Sequence, residues 1–225
     1  WDSKDIDVTD FANLQTKILG CHNLSMIINC VAYNDVDGAE TSPESAFLLN
    51  CEVPKKIAEL AKEINSTFIH FSTGYVFSGY DKIEHTEADQ PDPLSIYGKS
   101  KAEGEKEILK INGDSYLIRT NLLFGPTGTS KTAKPNVIDT MYRIGKERKI
   151  LKGITDEYCN FTYTPDLAMA TKTLFTSIKK QGMQPGIYHL TNEGYGTWYD
   201  LAKKIFELKE YDIREDGDPT KLPEN

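Results

Sequence analysis

Tyrosine followed four residues later by lysine occurs three times in this chain, as Tyr97 with Lys101, Tyr142 with Lys146, and Tyr199 with Lys203. On a helix, positions i and i+4 share a face, so each pair can set a phenol beside an ammonium. That combination suits carbonyl reduction by a nicotinamide, in which an acid protonates the forming alkoxide and a nearby cation keeps the acid's pKa low. The spacing alone is weak, because 12 tyrosines in a lysine-rich chain give about one such match by chance. Position separates the three. Tyr97 follows the Asp92-Pro93 loop and comes soon after an apolar run that ends in Ser72-Thr73-Gly74, and strand C-termini are where a parallel sheet presents its ligand site. Tyr142 and Tyr199 lie within helical stretches with no strand end just before them, so their lysines read as surface groups.

The elements that must position Tyr97 and Lys101 follow from hydrophobic periodicity. Short runs rich in β-branched and aromatic residues, Met26-Ile27-Ile28, Phe68-Ile69-His70-Phe71, Tyr116-Leu117-Ile118 and Ile187-Tyr188-His189-Leu190, alternate with longer amphipathic stretches. This is the pattern of a parallel α/β sheet with crossover helices. Ser42-Pro43 starts one helix, whose face is kept by Ala46, Leu49, Val53, Ile57, Leu60 and Ile64. Pro54 interrupts it, which predicts a bend near Asn50 to Pro54. Further helices are expected over Tyr97 to Lys110, Pro135 to Arg148, Pro165 to Ile178 and Trp198 to Leu208. The stretch Glu84 to Pro93 reads as an exposed loop, and the tail Arg214 to Asn225 as poorly ordered.

Composition bounds the remaining classes. The 225 residues are 39% hydrophobic and 27% charged, ordinary for a globular chain, and 34 acidic against 26 basic side chains leave a net charge of −8. A phosphate backbone would be repelled, so no nucleic-acid partner is expected. No apolar run is long enough to span a bilayer and no signal sequence is visible, so a soluble, cytoplasmic protein is expected. Cys21, Cys30, Cys51 and Cys159 form no zinc spacing and read as reduced, mostly buried thiols, with no metal site.

Several blocks carry a family resemblance. Phe71-Ser72-Thr73-Gly74-Tyr75-Val76-Phe77-Ser78-Gly79, then Tyr97-Gly98-Lys99-Ser100-Lys101 with Gly104-Glu105, is similar to blocks of the dTDP-4-dehydrorhamnose reductases, which are extended short-chain dehydrogenase/reductases. Asn29-Cys30-Val31-Ala32-Tyr33, Arg119-Thr120 with Phe124-Gly125, Thr162 to Ala168, and Gly186 to Asn192 fall in that family's order. The resemblance implies a Rossmann-type doubly wound parallel sheet with a small C-terminal substrate lobe. Residues 1–125 would form the dinucleotide-binding domain. Residues 126–225 would be mostly substrate lobe, with the Ile187 to Leu190 strand and nearby helices returning to the core. By the same resemblance, hydride passes from NADPH or NADH to the 4-keto group of a nucleotide-linked 6-deoxy sugar, in dTDP-rhamnose biosynthesis. Thr73 would bond the substrate carbonyl, Tyr97 would donate the proton, and Lys101 would hold the nicotinamide ribose while lowering the Tyr97 pKa. Asp7 and Val8 match the segment against the adenine. Val31, Ala32 and Tyr33 match the approach to the cofactor backbone, Ser72 the strand end beside it, and Asn50 an asparagine of the following helix that reads equally as a plain kink residue. The family also allows a homodimer with magnesium between carboxylates, for which no ligands can be placed in this sequence.

The chain departs from the family at three points. An aspartate after the Ser-Thr pair is Gly74 here, and a tryptophan near Arg-Thr is Leu122, which removes a carboxylate and an aromatic wall from the sugar pocket. A weaker or broader sugar preference is the expectation. The first strand and its glycine-rich phosphate turn have no counterpart upstream of Asp5, and the only early glycine, Gly20, reads as part of a loop with no strand before it. The expectation is that the natural protein has further residues at both ends and that this chain alone is not a competent enzyme. Two rival readings stand beside the reductase. One is an epimerase/reductase for another nucleotide sugar, and the other is a non-catalytic dinucleotide-binding regulatory subunit of the same fold.

Overall fold

The computed structural model describes residues 1–2, 4–79, 84–111, 113–126, 136–147 and 153–208. The polypeptide divides into two compact units, one of residues 1–120 and 177–190 and one of 121–176 and 191–225. The division thus falls after Thr120, and the last sheet strand groups with the first unit.

The first unit opens with α1 (Phe11–Leu19), capped by the Asp10 carboxylate on the Asn13 amide and closed by Gly20, so this early glycine ends a helix instead of lying in a loop. Then follow β1 (Met26–Asn29), α2 (Val36–Thr41), α3 (Pro43–Phe47), α4 (Val53–Glu63), β2 (Thr67–Thr73), α5 (Ile96–Ile111) and β3 (Ser115–Thr120). The neighbour of β3 on its other side comes from late in the chain, at Gly186–His189, and the sheet is parallel throughout. Every residue of β3 is buried, as expected where helices cover both faces of a parallel sheet. Leu14 and Ile18 of α1, Ile57 and Leu60 of α4, Phe68 of β2 and Ile108 of α5 meet in one core. The strand β1 forms one edge of this sheet, and the other edge is the late strand.

The bend expected before Pro54 is a π-helical turn over Leu48–Glu52 that joins α3 to α4 without a break. Proline has no amide hydrogen, so the carbonyl of Asn50 four residues earlier cannot receive a helical bond from it. The extra residue of the π turn absorbs the mismatch, with the Val53 amide donating to the Leu48 carbonyl. Gly104 of α5 packs onto this turn, and a Cβ there would stand 2.1 Å from the Asn50 carbonyl oxygen. Gly104→Ala is therefore expected to destabilise the fold by about 3 kcal/mol, at the upper end of overpacking costs, because the obstacle is backbone. Urea titration measures it, and a loss well below 1 kcal/mol would show that the two helices separate easily.

The stretch Glu84 to Pro93 is largely exposed but is pinned at three places. The Asp92 amide donates to the Val76 carbonyl (2.9 Å), the Asp92 carboxylate accepts from the Ser78 amide (2.8 Å), and the Glu87 carboxylate accepts from the His189 amide (3.0 Å). The last of these holds Glu87 below the usual carboxylate range. All four cysteines are free thiols, but only Cys51 is fully buried. Cys30, expected among the buried ones, is exposed just past the end of the edge strand β1.

The second unit contains β4 (Leu123–Phe124), α6 (Val137–Glu147), β5 (Tyr158–Cys159), β6 (Thr162–Tyr163) and most of α7 (Thr164–Gln181). After β7 (Gly186–His189), the late strand of the first unit's sheet, come β8 (Gly196–Thr197) and α8 (Trp198–Leu208). The pair β4 with β6 is parallel and β5 with β8 antiparallel. The helix α8 is opened by a reciprocal cap, in which Thr197 Oγ1 accepts from the Asp200 amide and the Asp200 carboxylate accepts from the Thr197 amide and hydroxyl. The four two-residue strands were not expected from sequence, nor were α1 and α2. The ends of the helix expected over Pro135 to Arg148, and the tail from Arg214, lie outside the described residues. No helix among the described residues is long and apolar enough to cross a membrane.

Candidate active site

Thr73 is the last residue of β2 and Tyr97 lies in the first turn of α5, with the Thr73 hydroxyl near enough to the phenol to lower its pKa. Two small residues make that approach possible. Ser95 caps α5, its Oγ accepting from the Gly98 amide at 3.0 Å, while Glu40 accepts the Ile96 amide at 2.8 Å. Gly98 then lets the first turn lie against the chain after Thr73, since a Cβ there would fall 2.2 Å from the Tyr75 carbonyl oxygen. The Tyr75 ring meets Tyr97 edge on, with centroids 5.8 Å apart. Burial raises the Tyr97 pKa above that of an ordinary phenol and the Thr73 hydroxyl partly opposes it. The phenol therefore keeps its proton at neutral pH. The lowering expected from Lys101 is not present in this arrangement, because the lysine's head is turned elsewhere.

Lys101 is buried one helical turn after Tyr97. Its Nζ donates to the Phe71 carbonyl (2.6 Å) and lies 3.2 Å from His70 Nε2. Burial pulls its pKa down to about 8, with Glu105 acting the other way. His70 is fully buried, and burial followed by the Lys101 charge holds its pKa well below the usual imidazole value. One turn beyond Lys101, Glu105 takes a two-pronged bond from Arg119 of β3, Nε to Oε1 at 2.9 Å and Nη2 to Oε2 at 2.6 Å, with both side chains 3% exposed. Neither His70 nor the Glu105–Arg119 pair was given a role by sequence reasoning. The signal for His70 was present, a polar ring in the middle of an apolar strand.

The other candidate residues of the first unit occupy defined places. Asn50 is fully buried in the π turn, accepting from the Tyr33 amide (2.9 Å) and donating to the Tyr33 carbonyl and Ser100 Oγ (3.0 Å each). It clamps the segment after β1 to the start of α5, and Val31 and Ala32 lie on that segment. Ser72 Oγ and Thr120 Oγ1, buried near the C-terminal ends of β2 and β3, have no hydrogen-bond partner among the described residues. Unpaired buried hydroxyls beside Thr73 suit a polar ligand at the strand ends, so the residues present fit a dinucleotide. Asp7 is exposed and bonded to the Thr9 amide and hydroxyl, with Val8 beside it half-buried. Gly74 opens a 3-10 turn and does not have a left-handed φ. Leu122 belongs to the second unit, half-buried, its carbonyl accepting from Thr162. So do the two rejected pairs. Lys146 lies over the Tyr142 ring at 4.7 Å on α6, and Lys203 is exposed on α8. Among the described residues no cluster of three or more His, Cys, Asp or Glu could hold a metal.

A parallel, helix-covered sheet carrying Thr, Tyr and Lys at its strand ends and adjoining helix defines a Rossmann-type short-chain dehydrogenase/reductase. Residues 1–222 match the family model described as the RmlD substrate binding domain. The chain is 36% identical over 207 residues to a dTDP-4-dehydrorhamnose reductase of Aggregatibacter actinomycetemcomitans, covering 92% of this chain and 68% of that protein. It is 37% identical to the one from Salmonella typhimurium over 81% of this chain and 59% of that protein. Among solved structures it resembles the Bacillus anthracis dTDP-4-dehydrorhamnose reductase in complex with NADP, with a TM-score of 0.81, 31% identity, and 93% and 70% of the two chains covered. It also resembles the Clostridium acetobutylicum ortholog, with a TM-score of 0.83, 32% identity, and 95% and 72% covered. The chain belongs to the dTDP-4-dehydrorhamnose reductase family. It spans 59% to 68% of the length of these two curated relatives.

Proposed function

We infer that the protein reduces the 4-keto group of a nucleotide-linked 6-deoxy sugar, dTDP-4-dehydrorhamnose, in dTDP-rhamnose biosynthesis, with NADPH or NADH as cofactor. The observation that carries this reading is the placing of Thr73, at the C-terminal end of β2, beside Tyr97 in the first turn of α5, with Lys101 one helical turn on. The names of the relatives support the substrate, and the NADP complex of the Bacillus anthracis protein supports the cofactor. When bound, the reduced nicotinamide supplies the hydride. Thr73 donates a hydrogen bond to the carbonyl oxygen, and Tyr97, still protonated at neutral pH, delivers its proton to that oxygen. Lys101 would hold ribose hydroxyls, and its charge would stabilise the phenolate that Tyr97 becomes. Asn50 acts at one remove by fixing the Val31 to Tyr33 segment, which with Ser72 would hold the dinucleotide backbone, while Asp7 and Val8 would hold the adenine. A cytoplasmic setting and a homodimer belong to the same reading.

The test is oxidation of NADPH or NADH on addition of dTDP-4-dehydrorhamnose, with identification of the sugar formed. Tight dinucleotide binding without turnover on any 4-keto nucleotide sugar would replace this reading with that of a regulatory subunit.

Sugar choice follows from Gly74 and Leu122. Other relatives carry names that specify different keto sugars, among them a dTDP-4-keto-6-deoxy-D-glucose reductase of Streptomyces niveus. Loss of one hydrogen-bonding carboxylate and one aromatic wall is expected to weaken preference for dTDP-4-dehydrorhamnose by roughly 10- to 100-fold relative to enzymes that keep both. Because Gly74 does not have a left-handed φ, an aspartate meets no backbone objection there. The double change Gly74→Asp with Leu122→Trp is expected to recover part of the preference, read as the ratio of kcat/KM for two 4-keto nucleotide sugars. A fall in that ratio would assign the choice to other residues.

A further inference from the structure

A run of buried polar contacts leads from the end of β1 to Lys101. Asn29 and His70 are register partners on the neighbouring strands β1 and β2. Asn29 Oδ1 accepts from the Val31 amide (3.0 Å), so its Nδ2 is the group that meets His70 Nδ1, also at 3.0 Å. A backbone amide can only donate, and that fixes the orientation of the Asn29 side chain. Nδ2 can only donate in turn, so His70 Nδ1 accepts and the neutral ring carries its hydrogen on Nε2. This Nε2 stands 3.2 Å from Lys101 Nζ. An ammonium there would set N–H against N–H, whereas a neutral amine offers a lone pair.

We propose that Asn29 and His70 are positioning residues for Lys101: Asn29 fixes the imidazole as its Nε2–H tautomer, and that N–H, facing Nζ, favours the neutral amine over the ammonium. Lys101 then carries its charge freely only when its head swings away from His70, toward the side where Tyr97 stands one turn earlier. Glu105, next on the same helix, favours the ammonium but is itself held by Arg119 of β3. In the π turn packed against α5, Cys51 is pushed up to about 11 and stays neutral. The depressed pKa of Lys101 agrees in direction with the tautomer argument but is not needed for it.

The inference rests on the reductase reading for its consequence, not for its test. Nitrogen NMR of the histidine rings in the unmodified protein is expected to show His70 neutral with its proton on Nε2. A proton on Nδ1, or a charged ring at neutral pH, overturns the proposal without any variant. In Asn29→Leu, which introduces no charge, His70 is released to accept from Lys101. The proton affinity of Lys101, followed through its Cε resonance, is then expected to rise about tenfold, with the basic limb of the turnover pH profile moving the same way. A changed tautomer with an unmoved lysine midpoint would show that His70 does not act on Lys101. Should the tautomer and midpoint behave as expected while no keto sugar is reduced, the reductase reading fails and the positioning role stands.

Discussion

Tyr97→Phe is expected to lower turnover by about 100-fold or more, the usual scale for a positioned general acid, while leaving dinucleotide binding nearly intact. The substitution removes one oxygen and little else. The ring keeps its edge contact with Tyr75, Gly98 keeps its place against the Tyr75 carbonyl, and Thr73 Oγ1 keeps the bond from the Tyr75 amide at 3.2 Å. What disappears is the proton that burial holds on the phenol at neutral pH. The loss should therefore fall on kcat and leave KM for the dinucleotide little changed. Tyr142→Phe and Tyr199→Phe, on helices of the second unit, serve as controls and should change turnover little. Equal damage from Tyr142→Phe and Tyr97→Phe would mean that the wrong tyrosine has been assigned.

Glu105→Gln is expected to destabilise the protein by about 3 to 5 kcal/mol, because it strands Arg119 as an uncompensated charge in the interior. Both partners are 3% exposed, and Arg119 Nη1 already has no hydrogen-bond partner among the described residues. The Phe77 ring, its centroid 5.0 Å from the guanidinium, is a further contact. For a chain of this length the loss corresponds to a fall in Tm of roughly 6 to 20 °C. The double change Glu105→Leu with Arg119→Met should recover most of it, since replacing a whole buried pair by apolar groups of similar size is often neutral. Thermal melts of the three variants decide the matter. A single change as mild as the double one would mean that water reaches Arg119.

Much of the fold was legible because a parallel sheet writes itself as short apolar runs, and β2 and β3 extend the runs read from sequence by only a few residues at each end. The helix interrupted by Pro54 was legible as a bend, but a π turn was not. Sequence shows that a bond is lost at proline and does not show whether the chain breaks or inserts a residue. The helix α1 was not legible although Asp10 caps it and Leu14 and Ile18 carry its buried face, since two buried positions in nine residues make too short a periodic signal. At the candidate site, Tyr97 and Lys101 were singled out by spacing and context, and Thr73 by resemblance. Asn29 and His70 were not found, because their meaning depends on the register between β1 and β2, which no local pattern encodes.

The two close glycines of α5 bear on mechanics. Gly98 seats one end of the helix on the Tyr75 carbonyl and Gly104 seats its middle on the Asn50 carbonyl. Six residues of helix turn through about 600°, so the two seats grip different sides of the rod. A rotation that relieves one seat drives the other inward, and a slide along the axis is opposed at both. Helix α5 thus has almost no rigid-body freedom, and any rearrangement that accompanies the reaction must be made by the side chains of Tyr97 and Lys101 themselves. Hydrogen exchange should show this as backbone amides of α5 that open only when the whole sheet does.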